Sequence, residues 1–239
     1  AMPIKLSCAT ALLCLGLMLP AHAEDAMAMH HGGGLFHMFR AETAFGGGSD
    51  GIQTSWDVDG WVGGDSDKLW LKSEGKVSHG GVEEAELWAL YSRNVATFWD
   101  VQIGIRHDRA PVARTYAALG FEGLAPYFVE TAAHLFVGET GAVSGRLRLE
   151  GDILLTQKTV LQPYAEINLQ GMDEAERGVG AGLANGHVGL QTRYELTRKF
   201  APYIDLHYER KFGQTATIAR TEGEAVGAFT AAIGLRLMF

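Results

Sequence analysis

The chain is poor in cysteine, in long apolar runs and in net positive charge. Its two cysteines, Cys8 and Cys14, fall within the first 23 residues, so the rest has neither disulfides nor thiolate metal sites. After those residues no stretch approaches the ~18 uninterrupted apolar residues of a membrane helix. Twenty Lys and Arg stand against 28 Asp and Glu, a net charge of −8. That balance argues against nucleic-acid binding and agrees with a surface that attracts cations. What the chain does have is 47% apolar residues and 31 glycines, scattered along its 239 residues. Apolar positions diluted in this way suit a membrane barrel, in which they alternate with polar ones.

The start reads as an export signal. Lys5 precedes an apolar run from Ala9 to Leu19, then Pro20 and Ala21-His22-Ala23. A charged n-region, a short h-region and an A-x-A site make residues 1–23 a secretory signal peptide. No cysteine follows the A-x-A site to carry a lipid anchor. The other end, Phe229 to Phe239, alternates. Phe229, Ala231, Ile233, Leu235, Leu237 and Phe239 share one face, and Thr230, Ala232, Gly234, Arg236 and Met238 the other. A strand with one greasy face and a terminal aromatic resembles the closing strand of an outer-membrane barrel.

Period-two patterning predicts about twelve strands, near 35–45, 52–62, 67–77, 82–92, 96–107, 115–123, 126–138, 142–155, 159–170, 186–196, 200–212 and 227–239. In 159–170, Leu161, Ala165, Ile167 and Leu169 oppose Gln162, Tyr164, Glu166, Asn168 and Gln170. In 200–212, Ile204, Leu206 and Tyr208 oppose Asp205, His207, Glu209 and Lys211. The polar face carries both signs of charge, as a narrow lumen of paired side chains requires. Tight turns are predicted at 93–94, 125–126, 157–158 and 197–199, and longer loops at 107–114, 171–185 and 213–226. Aromatics near strand ends, such as Trp61, Trp99, Tyr127, Phe128 and Tyr203, suit interfacial girdles. The expected fold is an all-β, transmembrane, antiparallel up-and-down barrel over 35–239, in the bacterial outer membrane, after a flexible periplasmic leader at 24–34.

The leader is chemically unusual. Met27, Met29, His30, His31, His37 and Met38 fall within twelve residues, EDAMAMHHGGGLFHMF in context. Thioethers suit Cu(I), and imidazoles suit Cu(II), zinc and nickel. Such a tract either holds copper or is simply a disordered leader of that composition. On the polar strand faces, His134 accompanies Glu130, His187 precedes Gln191 and Arg193, and His207 lies between Asp205 and Glu209. The i, i+2 spacing puts Asp205, His207 and Glu209 on one face. This row either passes a cation or closes an ion-pair network with Arg146, Arg148, Arg193, Lys211 and Arg236. Glu83, Glu84 and Glu86 form an acidic cluster near a strand start, read as a solvated rim or a lure for cations.

Long blocks then carry a resemblance. WDVQIGIRHD (99–108), APYFVETAAHLFVGETGAVSGRLRLEGDILLTQKTVLQPYAEINLQG (125–171), GAGLANGHVGLQTRYELTRKFAPYIDLHYERKFGQTATIAR (180–220) and the ending AIGLRLMF are similar to the copper resistance protein B family, from about residue 35 to the C-terminus. The resemblance implies an outer-membrane barrel with copper as its ligand and no catalysis. Its implied partners are outer-membrane lipid, copper ions and a periplasmic multicopper oxidase or copper carrier. Many members carry a longer leader of repeated Met/His motifs; only MAMHHGGG and FHM stand here, which shifts weight to the barrel interior. The expected function is movement of copper across the outer membrane. The alternatives are a copper-sequestering receptor or a non-specific pore. A lipid hydrolase, which pairs a serine with an outward histidine, finds no serine on a strand face beside His37.

Overall fold

The computed structural model describes residues 34–49 and 51–239, so the predicted signal peptide and Met27, Met29, His30 and His31 lie outside the described residues. The strands are β1 (Phe36–Gly48), β2 (Gly51–Gly63), β3 (Asp67–Ser78), β4 (Gly81–Ala96), β5 (Trp99–Ala110), β6 (Arg114–Ala125), β7 (Val129–Gly138), β8 (Val143–Gly151), β9 (Ile153–Leu154), β10 (Thr159–Gln170), β11 (Gly182–Tyr194), β12 (Phe200–Lys211) and β13 (Gly227–Met238). Neighbours in the chain pair antiparallel. β13 pairs with β1, Arg236 opposite Glu42, so the sheet closes on itself. β9 prolongs the pairing of β8 with β10 beyond Asp152 and adds no stave, leaving a ring of twelve. Closure removes every free sheet edge, which lets strands cross a bilayer.

Alternation sorts the side chains. Ile103, Ile105, Leu119, Val188, Ile204 and Ile233 point outward and are more than half exposed. No other part of the described chain covers this apolar belt, which is the outer wall of a membrane barrel. Inward positions carry buried Gln102, Arg106, Asp108, Glu166, Arg193 and Arg236. One sector of the interior is greasy: Trp88, Leu90, Tyr116, Ala118 and Phe136 form a buried cluster on β4, β6 and β7.

The rims differ. At the rim where β1 starts and β13 ends, every connection is short. At the opposite rim two are long, 171–181 and 212–226. We call these the terminus rim and the loop rim. The predicted loop 107–114 shrinks to Pro111–Ala113, because β5 runs to Ala110. The predicted turn at 93–94 lies inside β4, and the chain reverses at Thr97 and Phe98. Pro126–Phe128, predicted as strand, is a single 3-10 turn. The predicted loop 213–226 holds a helix, α1 (Gly213–Glu222), which buries Thr215, Ala216 and Ala219 and ends at Gly223 with φ 77°.

Three aromatics at the terminus rim have left-handed backbones: Phe98 (φ 65°), Tyr127 (φ 68°) and Phe128 (φ 60°). That conformation costs a non-glycine residue roughly 1–2 kcal/mol. All three rings are exposed, Tyr127 at 96%. Strained turns that hold aromatic rings outward at a barrel rim fit a lipid–water boundary, where such rings are favoured.

Candidate functional site

The lumen contains two cavities. One, of about 690 Å³, opens towards the loop rim; the other, of about 700 Å³, towards the terminus rim. Arg40, Gln162 and Arg236 line both and mark a waist. Acidic side chains outnumber basic ones around the upper cavity, whereas the two balance around the lower.

Four sequence-predicted residues share the upper cavity. Asp205, His207 and Glu209 project from alternate positions of β12, and His187 stands opposite Glu209 on β11. Glu166 of β10 stands on the other side of His187. Asp205 accepts hydrogen bonds from Tyr164 Oη (2.9 Å) and, through its second oxygen, from His207 Nδ1 (2.6 Å). A proton held on Nδ1 leaves the Nε2 lone pair of His207 available, the orientation a carboxylate imposes on ligating histidines. Asn185 donates to Glu209 (3.3 Å), and Tyr164 packs edge-on against His187 at 5.9 Å. Among the described residues no group of three or more His, Asp or Glu is arranged to hold a metal ion. The wall of the upper cavity thus offers separate oxygen and nitrogen donors.

The other predicted residues go elsewhere. His134 is 7% exposed, bonds Gln102 Oε1 at 2.8 Å, and packs against both Trp88 and Phe136. Glu130 lines the lower cavity. His37 and Met38 are consecutive on β1 and face opposite sides, Met38 towards the lower cavity.

Sequence reasoning missed who meets whom across the lumen. Arg146 and Arg148 of β8 reach across the ring to β3 and β4. Arg146 contacts Glu86 at 2.9 Å and Glu74 at 3.5 Å, and Arg148 contacts Glu74 at 3.4 Å. Both also hold Glu166, at 3.4 and 2.9 Å. Glu86, read as part of a rim cluster, is therefore a lumen residue that also binds Arg106 at 2.7 Å. Arg106 pairs with Asp108 at 2.7 Å and lies 4.7 Å from the Phe136 ring centre. From the loop rim Arg177 reaches down to Asp108 (3.1 Å) and Tyr116 Oη (2.6 Å). Thr215 of α1 bonds Gly180 N at 3.0 Å, tying the two long connections together over the mouth.

The waist is a second belt. Arg236 donates to Glu42 (2.6 Å), Gln162 (3.0 Å) and Gln191 (3.1 Å). Gln191 donates to Glu42 (3.0 Å), Arg193 to Gln162 (2.9 Å) and to Asp152, and Arg40 to Asp59 (2.6 Å). These bonds link β1, β2, β10, β11, β13 and Asp152 of the β8–β10 connection through paired charges, so the belt carries little net charge.

Comparison with known proteins places this geometry. A family model described as "Copper resistance protein B precursor (CopB)" matches residues 35–239. A "Copper resistance protein B homolog" of Pseudomonas syringae pv. tomato is 42% identical over 192 residues, 80% of this chain and 65% of the relative. "Copper resistance protein B" of Escherichia coli is 43% identical over 186 residues, 77% of this chain and 63% of the relative. The chain thus spans less than two thirds of the length of these relatives. Among solved structures, the NanC porin superposes with a TM-score of 0.57 at 10% identity, covering 82% of this chain and 98% of the porin, a likeness of fold alone.

Proposed function

The chain belongs to the copper resistance protein B family, and from that premise we infer that it is an outer-membrane barrel that moves copper across the membrane as part of copper resistance. The observation that carries this reading is the wall of the upper cavity, where His187, Asp205, His207 and Glu209 face one acidic space without closing into a single cage. A conducting path needs donors good enough to draw an ion in and weak enough to release it. Excess carboxylate raises the local cation concentration. Imidazole beside carboxylate favours copper over the hard cations that abound outside.

In this reading Met27, Met29, His30 and His31 gather copper on the periplasmic side, the barrel carries it, and a periplasmic multicopper oxidase or copper carrier exchanges it with the leader. The barrel has no catalytic role. A second reading, a sequestering receptor, is favoured by the hydrogen-bonded waist, which closes the lumen.

Copper flux into liposomes that hold the purified barrel, with zinc and nickel as controls, separates the two. Copper-selective flux is expected, falling to the zinc level in a His187→Ala, His207→Ala, Glu209→Gln variant that still migrates as a folded barrel. Bound copper without flux supports sequestration. Replacing Met27, Met29, His30 and His31 together is expected to lower copper stoichiometry; an unchanged value removes the leader from the mechanism.

A further inference from the structure

We propose that Met38 and Met238 together form a Cu(I) site at the terminus rim of the lumen; this deepens the copper reading above and rests on it. Met38, Met172 and Met238 are the methionines among the described residues. Met172 lies on a loop-rim connection and is 46% exposed. The other two, 200 positions apart in sequence, line the same cavity.

Barrel closure brings them together. Arg40 stands opposite Met238 in the β1–β13 register, and Phe39 and Phe239 exchange both backbone hydrogen bonds, at 3.1 and 2.9 Å. Met38 and Met238 are thus diagonal neighbours on the lumen face, a separation of about 7–8 Å that long side chains bridge. Methionine is unbranched with three rotatable bonds, so both sulfurs can turn to one ion. Trp61 stands opposite Met38 on β2, 6.4 Å from Trp70. Arg40, next to the pair, is neutralised by Asp59 at 2.6 Å.

Donor type sorts the ion. Among the described residues lining the lower cavity there is no histidine, and its charges balance. Two thioethers in such a place are poor ligands for Cu(II), zinc and nickel, and good ones for the soft monovalent ion. The upper cavity has the opposite character, with imidazole and carboxylate and no methionine among its described lining residues. The two ends of the lumen therefore prefer different oxidation states of one metal.

Anaerobic Cu(I) titration against a chromophoric Cu(I) chelator tests this on the full chain with Met27, Met29, His30 and His31 all replaced. One Cu(I) equivalent is expected to persist in that background and to be lost on adding either Met38→Leu or Met238→Leu, while Cu(II) binding stays unchanged. Leucine keeps the apolar volume, and the gel mobility of the folded barrel reports its integrity. A Cu(I) equivalent that survives in the Met38→Leu, Met238→Leu protein, or is absent before either change, overturns the proposal. Methionine-dependent Cu(I) binding without copper flux leaves the site standing and fails the transport reading. Flux without it does the reverse.

Discussion

Replacing Arg106 with alanine is expected to cost the folded barrel about 3–5 kcal/mol, the range for removing one partner of a buried ion pair. Arg106 is 6% exposed and its guanidinium holds two carboxylates, Glu86 at 2.7 Å and Asp108 at 2.7 and 2.8 Å. Asp108 is 1% exposed, and loss of this fork leaves it a single hydrogen bond, from Arg177 at 3.1 Å. The arginine also fills space between aromatic rings, 4.7 Å from the centre of Phe136 and 5.3 Å from that of Tyr116. Truncation therefore opens a void in the greasy sector and takes the nearest cation from two buried carboxylates, leaving Asp108 on Arg177 and Glu86 on Arg146. Denaturation of the barrel in lipid vesicles, followed by tryptophan fluorescence, reads the loss. Arg106→Lys keeps the charge but not the two-pronged geometry, and is expected to fall between wild type and alanine. A cost below about 1 kcal/mol, the value of an exposed pair, contradicts a structural role for the network.

The parts of this molecule that were legible in the sequence are those set by neighbours two residues apart. Side-chain alternation located all twelve staves, most within a few residues, because each strand faces lipid on one side and lumen on the other. Errors arose where polar residues imitated a turn. Arg93 and Asn94 look like a reversal, yet Asn94 is a strand residue whose amide bonds Ala96 O (3.0 Å) and Asp100 (2.9 Å), bracing the turn beyond it. Helix α1 was hidden for the opposite reason. It lacks a side-chain N-cap, and what holds it is contact with the 171–181 connection through Thr215.

The site was legible by face and not by partner. Period-two spacing correctly put Asp205, His207 and Glu209 together, since they lie on one strand. It said nothing of Arg148 meeting Glu74, 74 residues away across the ring, because that contact depends on the curvature of the closed sheet. Met238 was assigned to the same face as Arg236. Its value as a donor appears only when β13 is zipped to β1 and Met38 comes beside it.

Opening the waist is expected to have the largest functional effect, and Arg236→Ala is the change that does it. The three residues that line both cavities are Arg40, Gln162 and Arg236, and Arg236 is hydrogen-bonded to Gln162, Gln191 and Glu42 at once. The bond to Glu42 spans 194 positions in sequence and crosses the β1–β13 seam. Shortening the side chain to a methyl removes three of the bonds that close the belt and joins the two cavities. Glu42 does not become a lone buried charge, because Gln191 still donates to it at 3.0 Å and Arg40 lies 3.8 Å away. The barrel should therefore fold, and conductance in a planar bilayer should rise several-fold over the wild type. Discrimination between copper and zinc should fall with it, since selectivity comes from donors held close to the path. Gln162→Ala should act in the same direction and more weakly, as it removes a neutral acceptor and leaves Arg236 on Glu42. Lys211→Ala, which breaks a rim pair with Glu224 at 2.7 Å, should leave conductance unchanged. Equal conductance in the wild type and Arg236→Ala would move the barrier away from the waist, to the chords of Arg146 and Arg148 in the upper cavity.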